Sequence, residues 1–200
     1  MRAATIHLRK SDPVMAAITK RVGPYKLIPR EPTFETLARS ITFQQLSGKA
    51  AGTIFGRLRK AVGRKFTASA FLRLSEEELR ACGLSRQKIA SLTDLAERVA
   101  RREIQFHRLT DLEDAEIIER LSKVRGVGVW TVQMFLIFAL QRPNVMPLAD
   151  LGIRNAVRKA YGLSELPKPA ELLALAEKWH PYCSIASWYL WRSLDAPVGI

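Results

Sequence analysis

The chain has 200 residues, 48% of them hydrophobic, which is enough for one compact unit or for two lobes sharing a cleft. Lys and Arg number 32 against 19 Asp and Glu, a net charge of +13, and this excess favours a polyanionic partner such as nucleic acid or an anionic membrane surface. The longest apolar stretch, Val129 to Leu140, is about half the length of a membrane span and is broken by Gln133. The opening "MRAATIHLRKSDP" lacks the apolar run of a secretion signal. Two cysteines, Cys82 and Cys183, make neither a disulfide framework nor a four-cysteine metal site, and the histidines His7, His107 and His180 are scattered. A soluble protein of the cytoplasm or nucleus is expected, with no metal in its chemistry.

In chain order, Ser11-Asp12-Pro13 is a cap followed by a first-turn proline, and it opens a helix to about Val22. The segment from Val22 to Pro32 holds three prolines and reads as a connector. Thr33 caps a helix with Phe34, Leu37 and Ile41 on one face; Ser47-Gly48 interrupts it, and a second helix follows to about Val62. Ser75-Glu76-Glu77-Glu78 fits a capping box, with Gly83 closing that short helix. Ile89, Leu92, Leu95, Ala96 and Val99 recur at helical spacing in a long charged helix. Further helices are expected over Asp114–Val124, Leu151–Tyr161, Ala170–Trp179 and Tyr182–Leu194, with a loop at Gln141–Ala149. No alternating run is long enough for a strand, so the fold class is all-α.

Within "KVRGVGVWTVQMFLIFAL" a Gly-Val-Gly turn separates a charged helix end from an apolar helix, the pattern of a helix–hairpin–helix over residues 114–140. Gly126 and Gly128 can take positive φ and, lacking side chains, let a phosphate approach the backbone closely. Turn amides and the N-terminus of the helix starting near Val129 would hold that phosphate, with Arg125 and Val127 completing the hairpin. Such contacts position DNA without reading its sequence. A tight helix–helix turn is the alternative reading. In "MPLADLGIR", Asp150 opens a helix after a Pro-containing loop; it can serve as an N-cap, as a catalytic carboxylate, or as both.

These stretches, with "RSITFQQLSGKAAGTIFGRL" and "LAEKWHPYCSIASWYLW", together resemble the HhH-GPD superfamily of base-excision DNA glycosylases, and within it the 3-methyladenine DNA glycosylase II branch. The resemblance runs from Thr33 to Trp191. It implies two helical lobes with a cleft between them: residues 33–142 as one lobe, and 1–32 with 143–200 as the other, Asp150 lying just past the crossover. It also implies Asp150 as the catalytic residue, Trp130 and Trp191 against an extruded base, and Met134 where relatives can carry an aromatic. Core packing is the alternative for all three. Gln45 matches the position that plugs the gap left by the flipped nucleotide, with Leu46 and then Gln44 as further candidates; a turn that merely touches the backbone is the alternative.

Two absences narrow the implied chemistry. Strand-nicking relatives carry a Schiff-base lysine where this chain has Trp130, and Lys123, seven residues earlier, does not replace it by motif. The C-terminal four-cysteine motif of endonuclease III-like relatives is missing, so no iron–sulfur cluster is expected. The implied activity is monofunctional excision of alkylated purines from double-stranded DNA, by a monomer, without a cofactor; whether a cation helps the hairpin grip a phosphate is open. This chain begins almost at the glycosylase core, whereas the well-known bacterial enzyme of the branch has an extra N-terminal β-rich domain. It also has Ala149 where that enzyme has a second acid. The same fold acting on uracil or hypoxanthine is one rival reading. Another is a non-catalytic hairpin module that binds distorted DNA, and a membrane-surface role is weakest because no continuous basic amphipathic stretch occurs. His180 and Tyr182 in "WHPY" read as structural.

Overall fold

A computed structural model describes residues 2–195, and among these the regular structure is helical throughout, with no strand. The chain order is α1 (Arg2–Ser11), α2 (Pro13–Val22), α3 (Phe34–Phe43), α4 (Gly48–Val62), α5 (Ala68–Phe71), α6 (Glu76–Ala81), α7 (Arg86–Ala100) and α8 (Asp114–Ser122), then α9 (Val129–Phe138), α10 (Leu151–Ala160), α11 (Pro169–Ala176) and α12 (Cys183–Asp195). No helix is long and apolar enough to cross a membrane among the described residues. The chain divides into two compact units, Arg30–Leu140 on the one hand and Met1–Pro29 with Gln141–Ile200 on the other.

Caps explain most of the helix starts. The side chains of Asp12, Thr33, Ser47, Ser75, Ser85 and Asp150 each accept a backbone N–H of the first turn that has no partner within its own helix. Ser75 and Glu78 form the expected capping box, with Glu78 accepting the Ser75 amide at 2.7 Å. Gly83 follows α6 at φ +97, the left-handed conformation that favours glycine at a helix end.

In the Arg30–Leu140 unit, α3 packs against α4, α7 and α9, and α8 lies along α9. Leu37, Ile41, Leu58, Leu92, Leu95, Leu121, Val132 and Leu136 are fully buried there. Each such side chain contributes about 1.5–3 kcal/mol of transfer free energy. Phe34, Phe55 and Phe66 form an aromatic group with ring centroids 5.5 to 5.7 Å apart. The other unit closes its core with Leu8, Met15, Ile18, Ile153, Val157, Trp179 and Tyr189.

That second core contains one buried carboxylate. Asp12 Oδ1 accepts the amides of Val14 (2.9 Å) and Met15 (3.3 Å), and Oδ2 accepts the Trp179 indole N–H (3.0 Å) and the Tyr161 hydroxyl. Four donors satisfy a group that would be costly to bury alone. The same residue therefore caps α2 and ties it to the end of α10 and to the Trp179 segment.

The structure departs from the sequence expectations in four places. Helix α1 occupies a segment in which the sequence carries no helix start signal, and α5 adds a single turn of helix that no periodic pattern marks. A 3-10 helix spans Phe106–Asp111. The helix expected to reach Trp179 ends at Ala176, and Glu177–Trp179 tightens into 3-10 geometry. The segment between α9 and α10 runs from Ala139 to Asp150 as loop, close to its expected bounds.

Candidate functional site

The helix–hairpin–helix is formed by α8, the turn at residues 123–128, and α9. Its two glycines serve different purposes. Gly126 has φ +73, and a Cβ there would meet Ser91 Oγ of α7 at 2.6 Å, so both backbone conformation and close packing require glycine. Gly128 has φ −94 as the N-cap residue of α9, and nothing lies within 4 Å of where its Cβ would stand. Of the two glycines only Gly126 uses the positive φ open to both, and the missing side chain of Gly128 leaves open space at a helix N-terminus.

Part of the hairpin's donor set is also committed inside the protein. The Arg125 amide donates to Asp94 Oδ2 at 2.7 Å, and the Val127 amide donates to Val124 O at 3.0 Å. Val127 is buried, so its side chain anchors the turn while the Arg125 side chain remains exposed. Helix α9 starts with no side-chain cap, and Val129 and Trp130 stand exposed at its first turn. An uncapped, glycine-led helix start on a rigid turn is suited to receive an anion.

Gln44 fastens the turn after α3 to this hairpin. Its Nε2 donates to Gly126 O (3.1 Å) and Thr131 Oγ1 (3.0 Å). The turn is held from its other side by Lys88, whose ammonium donates to Ile41 O (2.8 Å) and Gln44 O (2.9 Å). Burial pushes the Lys88 pKa below its ordinary value. Of the three plug candidates Gln44 is therefore turned inward, a correction to its expected outward role. Gln45, in the left-handed region at φ +58, and Leu46 stand exposed. Gln45 holds a conformation uncommon for a residue with a side chain, which the surrounding bonds must sustain.

Beside this turn lies a cavity of about 630 Å³ whose wall includes Phe43, Trp130, Met134, Phe138, Arg39 and Gln44. Trp130 and Met134 thus share one face of α9 on the cavity, as their spacing of four implies. In the remaining unit, Asp150 caps α10: Oδ1 accepts the Ile153 amide at 2.7 Å and the Trp191 indole N–H at 2.9 Å. The carboxylate is buried, at 7% exposure. Gly152 permits this arrangement, because a Cβ there would lie 3.0 Å from Asp150 Oδ1 and 3.1 Å from Trp191 Cδ1. The structure brings together Asp150 with Trp191, and separately the hairpin with Gln44, Trp130 and Met134.

Four residues that sequence reasoning missed support these groups: Asp94 and Ser91 under the hairpin, Lys88 under the Gln turn, and Gly152 beside Asp150. Each lies far in sequence from at least part of what it touches or has an unremarkable local context. Gly152 alone carried a signal, as a glycine inside the first turn of a helix. His180 and Tyr182 pack locally, with Tyr182 edge-on to His7 at 5.4 Å and His180 Nε2 3.9 Å from Glu177.

An all-helical chain with a Gly-x-Gly hairpin and a helix-capping carboxylate defines a helix–hairpin–helix protein with a candidate acid–base site. The chain belongs to the HhH-GPD superfamily of base excision DNA repair proteins, whose sequence profile matches residues 38–181. It is 38% identical to DNA-3-methyladenine glycosylase 1 of Schizosaccharomyces pombe, over 95% of this chain and 86% of that protein. It is 31% identical to the putative DNA-3-methyladenine glycosylase YfjP of Bacillus subtilis, over 94% of this chain and 68% of that protein. Among solved structures, the S. pombe 3-methyladenine DNA glycosylase in complex with abasic DNA superposes with a TM-score of 0.89 at 36% identity, covering 99% of both chains.

Proposed function

We propose that this protein is a monofunctional DNA glycosylase of base excision repair. It extrudes alkylated purines of the 3-methyladenine and 7-methylguanine type from double-stranded DNA, hydrolyses their N-glycosidic bond and leaves an abasic site. The observation that carries the reading is Asp150, a buried carboxylate whose Oδ1 is fixed by the Ile153 amide and the Trp191 indole. It lies in a chain closely similar to proteins named for this activity. Plain backbone binding needs no such group.

As the base departs, positive charge builds on the sugar. A preorganised carboxylate stabilises that oxocarbenium-like state and orients the attacking water. Its geometry is set before substrate arrives, because the oxygen that caps α10 is the one that accepts the indole. Trp130 supplies an aromatic wall on which a cationic base stacks favourably, and Met134 makes the neighbouring wall softer and more adaptable. The exposed Gln45 and Leu46 are the proposed plug for the space the extruded nucleotide leaves.

The hairpin grips the backbone through the uncapped start of α9 and the open space at Gly128, with Arg125 adding charge. Binding carried by phosphates weakens steeply as salt rises. Lyase chemistry is not proposed: Trp130 occupies the motif position of the Schiff-base lysine, and the Lys123 ammonium is paired with Glu119 at 2.8 Å. The test is base release from methylated duplex DNA, read by mass spectrometry, for the wild type and Asp150→Asn. Release by wild type alone, with strand breaks only after alkali, is the expected result. Equal release by Asp150→Asn removes the carboxylate from the mechanism, and no release by wild type removes the alkylpurine assignment.

A further inference from the structure

One side of α7 carries the supports of two different turns. Lys88, Ser91 and Asp94 stand three residues apart in that helix, so they follow one another along it. Asp94 accepts the Arg125 amide of the hairpin at 2.7 Å, and Ser91 packs under Gly126, where a Cβ would meet its Oγ at 2.6 Å. Lys88 serves the turn after α3, donating to Ile41 O at 2.8 Å and to Gln44 O at 2.9 Å.

Those two bonds answer a local deficit. The last carbonyls of a helix have no partner within it, and α3 has no basic residue in its last turn. The turn that follows closes with long main-chain bonds, Gln44 N to Ile41 O and Leu46 N to Phe43 O, both 3.4 Å. Gln45 is then held at φ +58, which a residue with a side chain keeps only when its surroundings impose it. Lys88 supplies the missing cation from another helix, 47 positions along the chain from Ile41. Its ammonium is half-buried and meets two main-chain oxygens but no carboxylate among the described residues, and burial lowers its pKa. Its own amide is fixed by Ser85 Oγ at 3.2 Å, the cap of α7.

The Gln44 side chain closes the frame through Gly126 O and Thr131 Oγ1. Gln44 is therefore held at its carbonyl by Lys88 and at its amide group by the hairpin, with Gln45 and Leu46 exposed just beyond it. We infer that Lys88 is a positioning residue for base extrusion, holding the plug turn in fixed register with the hairpin that grips the phosphate. This rests on the glycosylase reading and on Gln45 as plug. A loose turn would have to be ordered as the base leaves the stack, adding to the cost of unstacking, whereas a preset turn fills the gap without that step.

The test measures single-turnover release of 7-methylguanine from two duplexes, for wild type, Lys88→Met, Lys88→Arg, Gln45→Gly and the Lys88→Met/Gln45→Gly double variant. In one duplex the damaged base is paired; in the other it faces an abasic-site analogue, so no pair has to be broken. Melting temperatures are recorded for all five proteins. Lys88→Met is expected to slow release from the paired duplex roughly tenfold, with a much smaller defect on the unpaired one. Lys88→Arg, which keeps charge and donors, retains more of the activity. Gln45→Gly removes the plug side chain and takes φ +58 without strain, so adding Lys88→Met to it should cost little more. A full further fall in that background overturns the inference, because Lys88 then acts on something other than the plug. An equal fall on both duplexes with a lower melting temperature also overturns it and makes Lys88 a structural cap. Unchanged release by Lys88→Met from both duplexes refutes it while leaving the glycosylase intact. Wild type that releases the base from neither duplex removes the glycosylase reading, and the inference with it.

Discussion

The indole N–H of Trp191 reaches Oδ1 of Asp150 at 2.9 Å across 41 positions of sequence, and the Ile153 amide meets the same oxygen at 2.7 Å. A side chain expected to wall the base pocket thus also orients the carboxylate. Trp191→Phe keeps a ring and removes the donor. A hydrogen bond to a charged group contributes about 1.5–3 kcal/mol, so base release under single-turnover conditions should fall roughly tenfold to a hundredfold. Affinity for an abasic-site duplex should stay near wild type. A loss of affinity with unchanged release would place Trp191 in binding alone.

Gly152 makes that pairing geometrically possible. An added methyl would press Asp150 Oδ1 at 3.0 Å and the Trp191 ring at 3.1 to 3.3 Å, so both must give by a few tenths of an ångström. Alanine is the better helix former by about 1 kcal/mol, which works against a loss of stability. Gly152→Ala is therefore expected to melt near the wild-type temperature and to release bases at least about tenfold more slowly, since small misplacements of a reacting group are costly. Calorimetry and the release assay on one preparation check both halves.

Much of the fold could be read from capping residues, because a cap is a local event: Asp12, Thr33, Ser47, Ser75 and Asp150 each mark a helix start in the chain and in the structure. Helix α1 has no such mark, because Met1 is not a capping residue type and the helix buries only Ala4 and Leu8, too few positions to show a period. Helix α5, four residues long, is shorter than any periodic pattern. Helix α9 is apolar nearly all round, so its sequence did not say that Trp130 would be exposed while Thr131, Val132 and Phe135 turn inward. The supports of the site were illegible for another reason. Gln44 meets Gly126 across 82 positions and Asp94 meets Arg125 across 31, and such pairs exist only once the helices have packed.

The two hairpin glycines should separate folding from binding. Gly126→Ala forces a side chain into φ +73 and against Ser91 Oγ; the left-handed conformation alone costs about 1–2 kcal/mol. That variant should melt several degrees lower. Gly128→Ala meets nothing within 4 Å and has an ordinary extended φ of −94, so its melting temperature should be unchanged. If a phosphate occupies the space at Gly128, the added methyl weakens duplex binding at low salt and flattens its salt dependence. Unchanged binding by Gly128→Ala would locate the phosphate contact elsewhere on the protein.

Asp12 ties acid stability to one buried group. Burial opposes its ionisation, but hydrogen bonds from Tyr161, Trp179 and the amides of Met15 and Val14 outweigh that, and its pKa lies below the ordinary 3.8. With the folded pKa lower than the unfolded one, folding favours the ionised form. The stabilisation is complete above the unfolded value and is lost as pH falls through the folded value. Asp12→Asn removes the charge that all four donors address. Its melting temperature at pH 7 should drop by about 5–10 °C, in line with 2–3 kcal/mol in a chain of this size. As pH falls through that lowered folded value the wild type also protonates, and the two melting curves should converge. A gap that keeps its pH 7 size down to the acid end of the folded range would show that shape and packing at Asp12, rather than its charge, hold α2 to the Trp179 segment.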